Sequence, residues 1–241
     1  MPDTKPVSPS LEAFCEFKFT EETAWDWTIP GLLYDLIKDR FPEKSQAPSG
    51  GIDVSEEPNE PHPERVQMKS AENGMTVEVG PYVLSVKHNN SSVKWSQFQE
   101  LIENVYQHHS SICGQCHVSG ARLRYLNFFP IAKDVSEIGK VFRVTPSLPE
   151  KLDKPLVTFY QQYVILNPNP PGILLHETGD TDDEEQKRLV LGLTFLSYES
   201  GFQGEAMGKW LQAAHRCLRE AFFESLMPDY LQLLDNLQWL E

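Results

Sequence analysis

Between Gly80 and Phe129 a strand, a polar turn, an amphipathic helix and a second strand follow one another, and this order limits the fold more than any other feature. Residues 82–88 read as a hairpin strand. The helix, opened by Ser96, carries Phe98, Leu101, Ile102, Val105 and Tyr106 at three-and-four spacing, which puts one apolar stripe against a sheet. Residues 121–129 form the second strand. These fifty or so positions contain no nucleophile, acid/base pair or phosphate cradle of the kind a reaction needs.

The flanking segments extend the pattern. Leu11, Ala13, Cys15, Phe17 and Phe19 alternate with Glu12, Glu16 and Lys18, the period of a strand with one wet face, and Phe14 is the exception. Thr28 and Pro30 predict the cap and first turn of a helix through Leu32, Leu33, Leu36 and Ile37, stopping near Phe41 and Pro42. Residues 42–65 hold many prolines and acids and almost nothing apolar, so a mobile acidic loop is expected there. The turn Glu72-Asn73-Gly74 joins two short strands as a hairpin. The first part then reads as a split β-α-β-like unit with helices on one face of an antiparallel sheet.

Past Lys133, residues 156–166 and 173–176 read as strands, followed by an acidic loop through Glu177, Asp180, Asp182, Asp183, Glu184 and Glu185. Residues 189–198 are apolar on both faces, which places them centrally or at a seam between sheets. A long helix over residues 204–226 closes the chain, with Met207, Trp210, Leu211, Ala214, Leu218, Ala221 and Phe222 on one stripe. The expected architecture is α+β, with antiparallel sheets, helices packed on one face and two similar lobes, residues 1–132 and 133–241. The second lobe reads as β-β-β-α.

The chain has 241 residues and can bury a core without help from disulfides. Its 35 acids against 21 bases give a formal charge of −14, which opposes binding to a phosphate backbone and favours a protein partner with a basic surface. No direct nucleic-acid partner and no membrane partner are expected. The N-terminal stretch lacks the basic start and apolar run of a secretory signal, so a cytoplasmic location and reduced cysteines are expected.

Cys113-Gly-Gln-Cys116-His117 is the sharpest local pattern. It has the spacing of a c-type haem attachment site, but that chemistry belongs outside the cytosol. His109 and Cys113 stand one helical turn apart, and Cys116 and His117 follow within reach, so the four offer a tetrahedral zinc set. Reduced thiols near a helix end with solvated histidines, and no cofactor, are the plainer expectation. Arg122 and Arg124 alternate with Leu123 and Tyr125, so they share a sheet face, either to bind an anion or to pair with acids such as Glu12 and Glu16 on a neighbouring strand. His215 sits one position outside the Leu211/Leu218 stripe, where a histidine bonded to a backbone carbonyl is expected.

Gly80, Pro81, Leu84, Ser85, Trp95 and Phe98, then Arg124, Tyr125 and Asn127, then Trp210, His215 and Phe222 fall in the order "GP.vLsv…w..F", "lRY.N" and "W…aH……F..l". In that order the chain resembles a sporadically distributed family of prokaryotic proteins of about this length. The resemblance implies an accessory protein of mobile or defence-type loci, CRISPR-associated or toxin–antitoxin-like, and it implies no reaction. Three functional expectations follow. The first is a non-catalytic interaction protein. The second is a hydrolase or nuclease with a cleft lined by Arg124, Tyr125, Asn127 and His215. The third is a zinc-stabilised sensor or structural protein.

Overall fold

A computed structural model describes residues 9–47, 64–71, 74–114, 116–130, 138–146, 157–181, 188–197, 205–235 and 237–240. Nine strands form one antiparallel sheet: β1 (Ser10–Phe19), β2 (Glu43–Gln46), β3 (Val66–Lys69), β4 (Met75–Gly80), β5 (Val83–His88), β6 (Val118–Pro130), β7 (Tyr160–Pro168), β8 (Pro171–Asp180) and β9 (Arg188–Ser197). Their order across the sheet is β2-β3-β4-β5-β1-β6-β9-β8-β7. The helices are α1 (Ile29–Ile37), α2 (Trp95–Cys113), α3 (Ile138–Val141), α4 (Glu205–Ser225) and α5 (Pro228–Leu231). This is the expected α+β class. The boundary at residue 132 falls after β6, and the β6–β9 ladder, from Ala121↔Ser197 to Pro130↔Arg188, joins the two parts in one sheet.

Alternation within each strand divides the sheet into two chemically different faces. Leu11, Ala13, Cys15, Phe17 and Phe19 of β1 and Leu189, Leu191, Leu193 and Phe195 of β9 are buried in the main core with the stripes of α2 and α4. Phe17 meets Tyr106 of α2 edge-on at 5.0 Å, and Phe195 approaches Trp210 of α4 at 6.5 Å. Trp239 and Leu240, in a short 3-10 turn at Gln238–Leu240, fold back into this core, where Trp239 lies 5.1 Å from Phe222.

The opposite face collects the charges. Phe14 breaks the apolar alternation of β1 because it lies on that face, between Lys87 Nζ at 5.2 Å and the Arg122 guanidinium at 4.7 Å from its ring centre. Cation–π contact covers the ring on this face.

Several boundaries differ from the sequence reading. Part of the expected loop over 42–65 is the edge strand β2, whose four residues Glu43-Lys44-Ser45-Gln46 are all exposed. With no buried face, β2 has no apolar period to reveal it. Residues 48–63 of that expected loop lie outside the described residues, as do 182–187 of the acidic loop. Glu177 and Asp180 belong to β8 and not to a loop, and Glu177 is buried. Thr28 holds the cap position of α1, but its hydroxyl makes no cap bond; Asp26 Oδ1 instead accepts from the Thr28 backbone N–H at 2.7 Å. The helix expected from Ser96 begins at Trp95.

A candidate metal centre and the two faces of the sheet

His109, Cys113 and Cys116 converge at the C-terminal end of α2, all three buried, each with one potential ligand atom within 4.8 Å of the others. Helical spacing brings His109 and Cys113 to one face, and the turn at Gly114, whose φ is +76°, swings Cys116 back toward them. His109 Nδ1 lies 3.6 Å from Cys116 Sγ and 4.0 Å from Cys113 Sγ, and Nε2 lies 3.5 Å from Cys113 Sγ. The imidazole is held flat against Phe19, with ring centres 4.9 Å apart and planes 15° from parallel.

These separations can be compared with what zinc needs. Zn–S near 2.3 Å and Zn–N near 2.0–2.1 Å at the tetrahedral angle put sulfur and nitrogen about 3.6 Å apart. The Nδ1 distances of 3.6 and 4.0 Å match that edge to within a few tenths of an ångström. The donor set therefore fits a thiophilic ion.

Of the two thiols, Cys116 is the one biased toward ligation. A hydrogen bond from Cys113 holds the Cys116 thiol below its ordinary pKa, aided by His109 and Ser110 against the opposing effect of burial. The same hydrogen bond, with burial, pushes Cys113 up. Cys116 is thus ready as a thiolate ligand, and Cys113 must release its proton when a metal binds.

His117 does not join them. Cys116 and His117 both precede β6, and Cys116 is buried whereas the His117 side chain is partly exposed. Its Nδ1 lies 3.8 Å from exposed Glu22, while its backbone N–H donates to Thr23 Oγ1 at 3.0 Å. The four-residue set expected from sequence becomes a three-residue set.

The cleft imagined for a hydrolase or nuclease is not assembled. Arg124 lies on the charged face, whereas Tyr125 and Asn127 point into the helix-covered core. Asn127 Nδ2 donates to the Leu191 carbonyl at 3.3 Å, and Trp210 packs near Phe17. Tyr125 and His215 do meet, with Tyr125 Oη 2.8 Å from His215 Nδ1. His215 is stacked on Trp95 at 4.2 Å and also bonds the backbone of Leu240, so it pins the C-terminus to the core.

Burial lowers the pKa of His215 to about 4, and that of His88 likewise to about 4. Both rings are neutral in the folded protein and take up protons on unfolding below their ordinary value. Their contribution is thus complete above about pH 6.5 and is lost as the pH falls toward 4. Urea unfolding at pH 7 and pH 5 is expected to show a loss of about 2 kcal/mol per histidine. A profile unchanged by His215→Gln would contradict this.

Ion pairs knit the opposite face. Glu16 Oε2 accepts from Arg65 Nη1 at 3.1 Å, while Arg122 Nη2 lies 3.1 Å from Oε1 without hydrogen-bond alignment. Glu78 Oε1 takes Lys87 Nζ at 2.9 Å and Gln67 Nε2 at 3.0 Å. Arg124 Nη2 lies 3.1 Å from Glu177 Oε2, and Glu177 Oε1 accepts from Tyr160 Oη at 2.6 Å. Gly192 makes room for this carboxylate, since a Cβ there would come within 2.9 Å of Glu177 Oε2. Gly192→Ala is expected to displace Glu177 and lower stability by about 1–3 kcal/mol, measurable by denaturant unfolding. Arg122 and Arg124 thus share a face as expected, with Glu16 beside Arg122 and Glu177 beside Arg124.

No described helix is long and apolar enough to cross a membrane. Comparison with family models, curated proteins and solved structures gave no match.

Proposed function

We propose that this protein is a zinc-stabilised binding protein with no reaction of its own, in which His109, Cys113 and Cys116 hold the metal. The observation that carries the reading is the convergence of these three buried donors at tetrahedral spacing. Zinc there ties the end of α2 to the start of β6 and so fixes the corner between the helix layer and the sheet. The ion would supply structural cross-linking, with the fourth coordination position left to a ligand outside this set. The dispersal of Arg124, Tyr125, Asn127 and His215 between two faces and the core argues against a hydrolytic cleft. The charge of −14 favours a partner with a basic surface, whose encounter rate falls as salt rises.

Elemental analysis of protein purified under reducing conditions with zinc supplied tests this directly. About one zinc per chain is expected, falling to a small fraction in Cys113→Ser and Cys116→Ser and unchanged in His117→Ala. Metal content insensitive to both cysteine substitutions would overturn the assignment.

A further inference from the structure

The two edges of the sheet are built in opposite ways. β2 is four residues long and carries Glu43 and Lys44, a short charged edge of the kind that resists pairing with other chains. β7 is nine residues long, Tyr-Gln-Gln-Tyr-Val-Ile-Leu-Asn-Pro, with no charge anywhere along it. Its large side chains stand open on both faces: Tyr160 is 55 % exposed, Tyr163 42 %, Val164 66 %, Ile165 45 % and Leu166 81 %. Among the described residues β7 pairs only with β8, which leaves its outer row of backbone donors and acceptors available to another strand.

We infer that β7 is a self-pairing edge, through which two copies of this chain join antiparallel about a twofold axis and continue the sheet from one protomer into the next. Charge selects this occupant. Two copies at −14 repel wherever acidic surfaces meet, and a strand without ionised groups is where they approach at least cost. Among the described residues the acids of β8 next to the seam are engaged within the protomer: Glu177 by Arg124 and Tyr160, and Asp180 by Thr158 Oγ1 at 2.8 Å and the Phe159 N–H at 2.9 Å. A basic partner strand would find no carboxylate on β7 to meet.

Geometry and area agree. Antiparallel pairing centred on Val164 sets Tyr163 opposite Ile165 of the other copy and Gln162 opposite Leu166, each pair on one face, so aromatic and β-branched side chains meet across the seam. Those five side chains expose roughly 600 Å² per protomer, so covering most of that surface on both copies would reach the approximately 1,000 Å² total that a specific interface needs. The interface would be isologous, closed and limited to a dimer.

Sedimentation velocity on the full chain, across the micromolar range, tests the inference independently of the metal. The wild type is expected to form a dimer that tightens as salt rises from low to moderate, because screening relieves the like-charge repulsion. Val164→Lys/Leu166→Lys places two ammonium groups on exposed positions that the fold does not use, so it should leave circular dichroism and melting unchanged while weakening dimerisation at least tenfold. Gln162→Lys is a milder second variant on the same face. A wild type that stays monomeric at high concentration, a dimer indifferent to both variants, or β7 occupied by a different polypeptide would each overturn the self-pairing edge. None of these outcomes depends on zinc content.

Discussion

Replacing Glu16 by alanine lowers the unfolding free energy by about 3–5 kcal/mol, the usual result of stranding buried charges by removing their partner. The Glu16 side chain is fully buried, and it stands between two cations that are mostly buried themselves, Arg65 and Arg122. Desolvation has already been incurred by all three groups, so deletion of the central carboxylate leaves Arg65 with the longer contact to Glu78 Oε2, at 3.9 Å, and faces it toward Arg122 across an emptied site. Their repulsion in a medium of reduced dielectric adds to the lost hydrogen bond. Glu16→Gln keeps an acceptor for Arg65 Nη1 and is expected to cost less. Replacing Glu16 and Arg122 together with leucine should recover part of the loss, because apolar side chains of similar volume can substitute for a buried pair. The exposed pair Lys38–Asp35, at 3.0 Å, supplies the contrast: Lys38→Ala should change stability by less than about 0.5 kcal/mol. Urea unfolding of the four variants measures the series. A Glu16→Ala cost no larger than that of Lys38→Ala would show that the charged face is solvated.

Stripping zinc is expected to lower the melting temperature by about 8–16 °C. A ligand present at a thousand times its dissociation constant stabilises by about 4.1 kcal/mol. In a chain of this size each kilocalorie moves the midpoint by about 2–4 °C. The protein should melt lower but remain folded without metal, unlike a zinc finger, because the core that includes Cys113 and Cys116 runs on from Leu11 to Leu240, far beyond the site. Differential scanning calorimetry with and without a chelator, repeated on Cys116→Ser, reads this out. The variant should melt near the stripped wild type and ignore the chelator. A chelator effect of equal size in Cys116→Ser would place the relevant metal elsewhere.

Much of this architecture was legible in residue periodicity. The alternation of β1, the stripes of α2 and α4 and the doubly apolar run of β9 each announced an element, because burial on a definite face leaves a period in the sequence. β9 lies between β6 and β8, at the junction of the two parts, as its two apolar faces required. β2 left no such mark, since an edge strand with every side chain in water has nothing to alternate. Glu177 was misplaced for a related reason. An acid next to a run of acids reads as solvated, and only the register that sets Glu177 beside Gly192 and diagonal to Arg124 shows that it is buried and paired.

The candidate site was legible in part. His109, Cys113 and Cys116 follow from helical spacing and a following turn, both local. His117, just ahead of β6, turns instead toward Glu22, a tertiary contact with no local signature. Alternation along β6 places Arg124 on the face opposite Tyr125 and Asn127. The seam at β7 was hidden because exposure of an apolar strand depends on which neighbour the topology withholds.

X-ray absorption at the zinc edge, on the metal-loaded full-length protein, addresses the central claim most directly. Two sulfurs near 2.3 Å and one imidazole nitrogen near 2.0–2.1 Å in a four-coordinate shell are the result expected of His109, Cys113 and Cys116. A first shell of oxygen and nitrogen alone, with no sulfur, would contradict it.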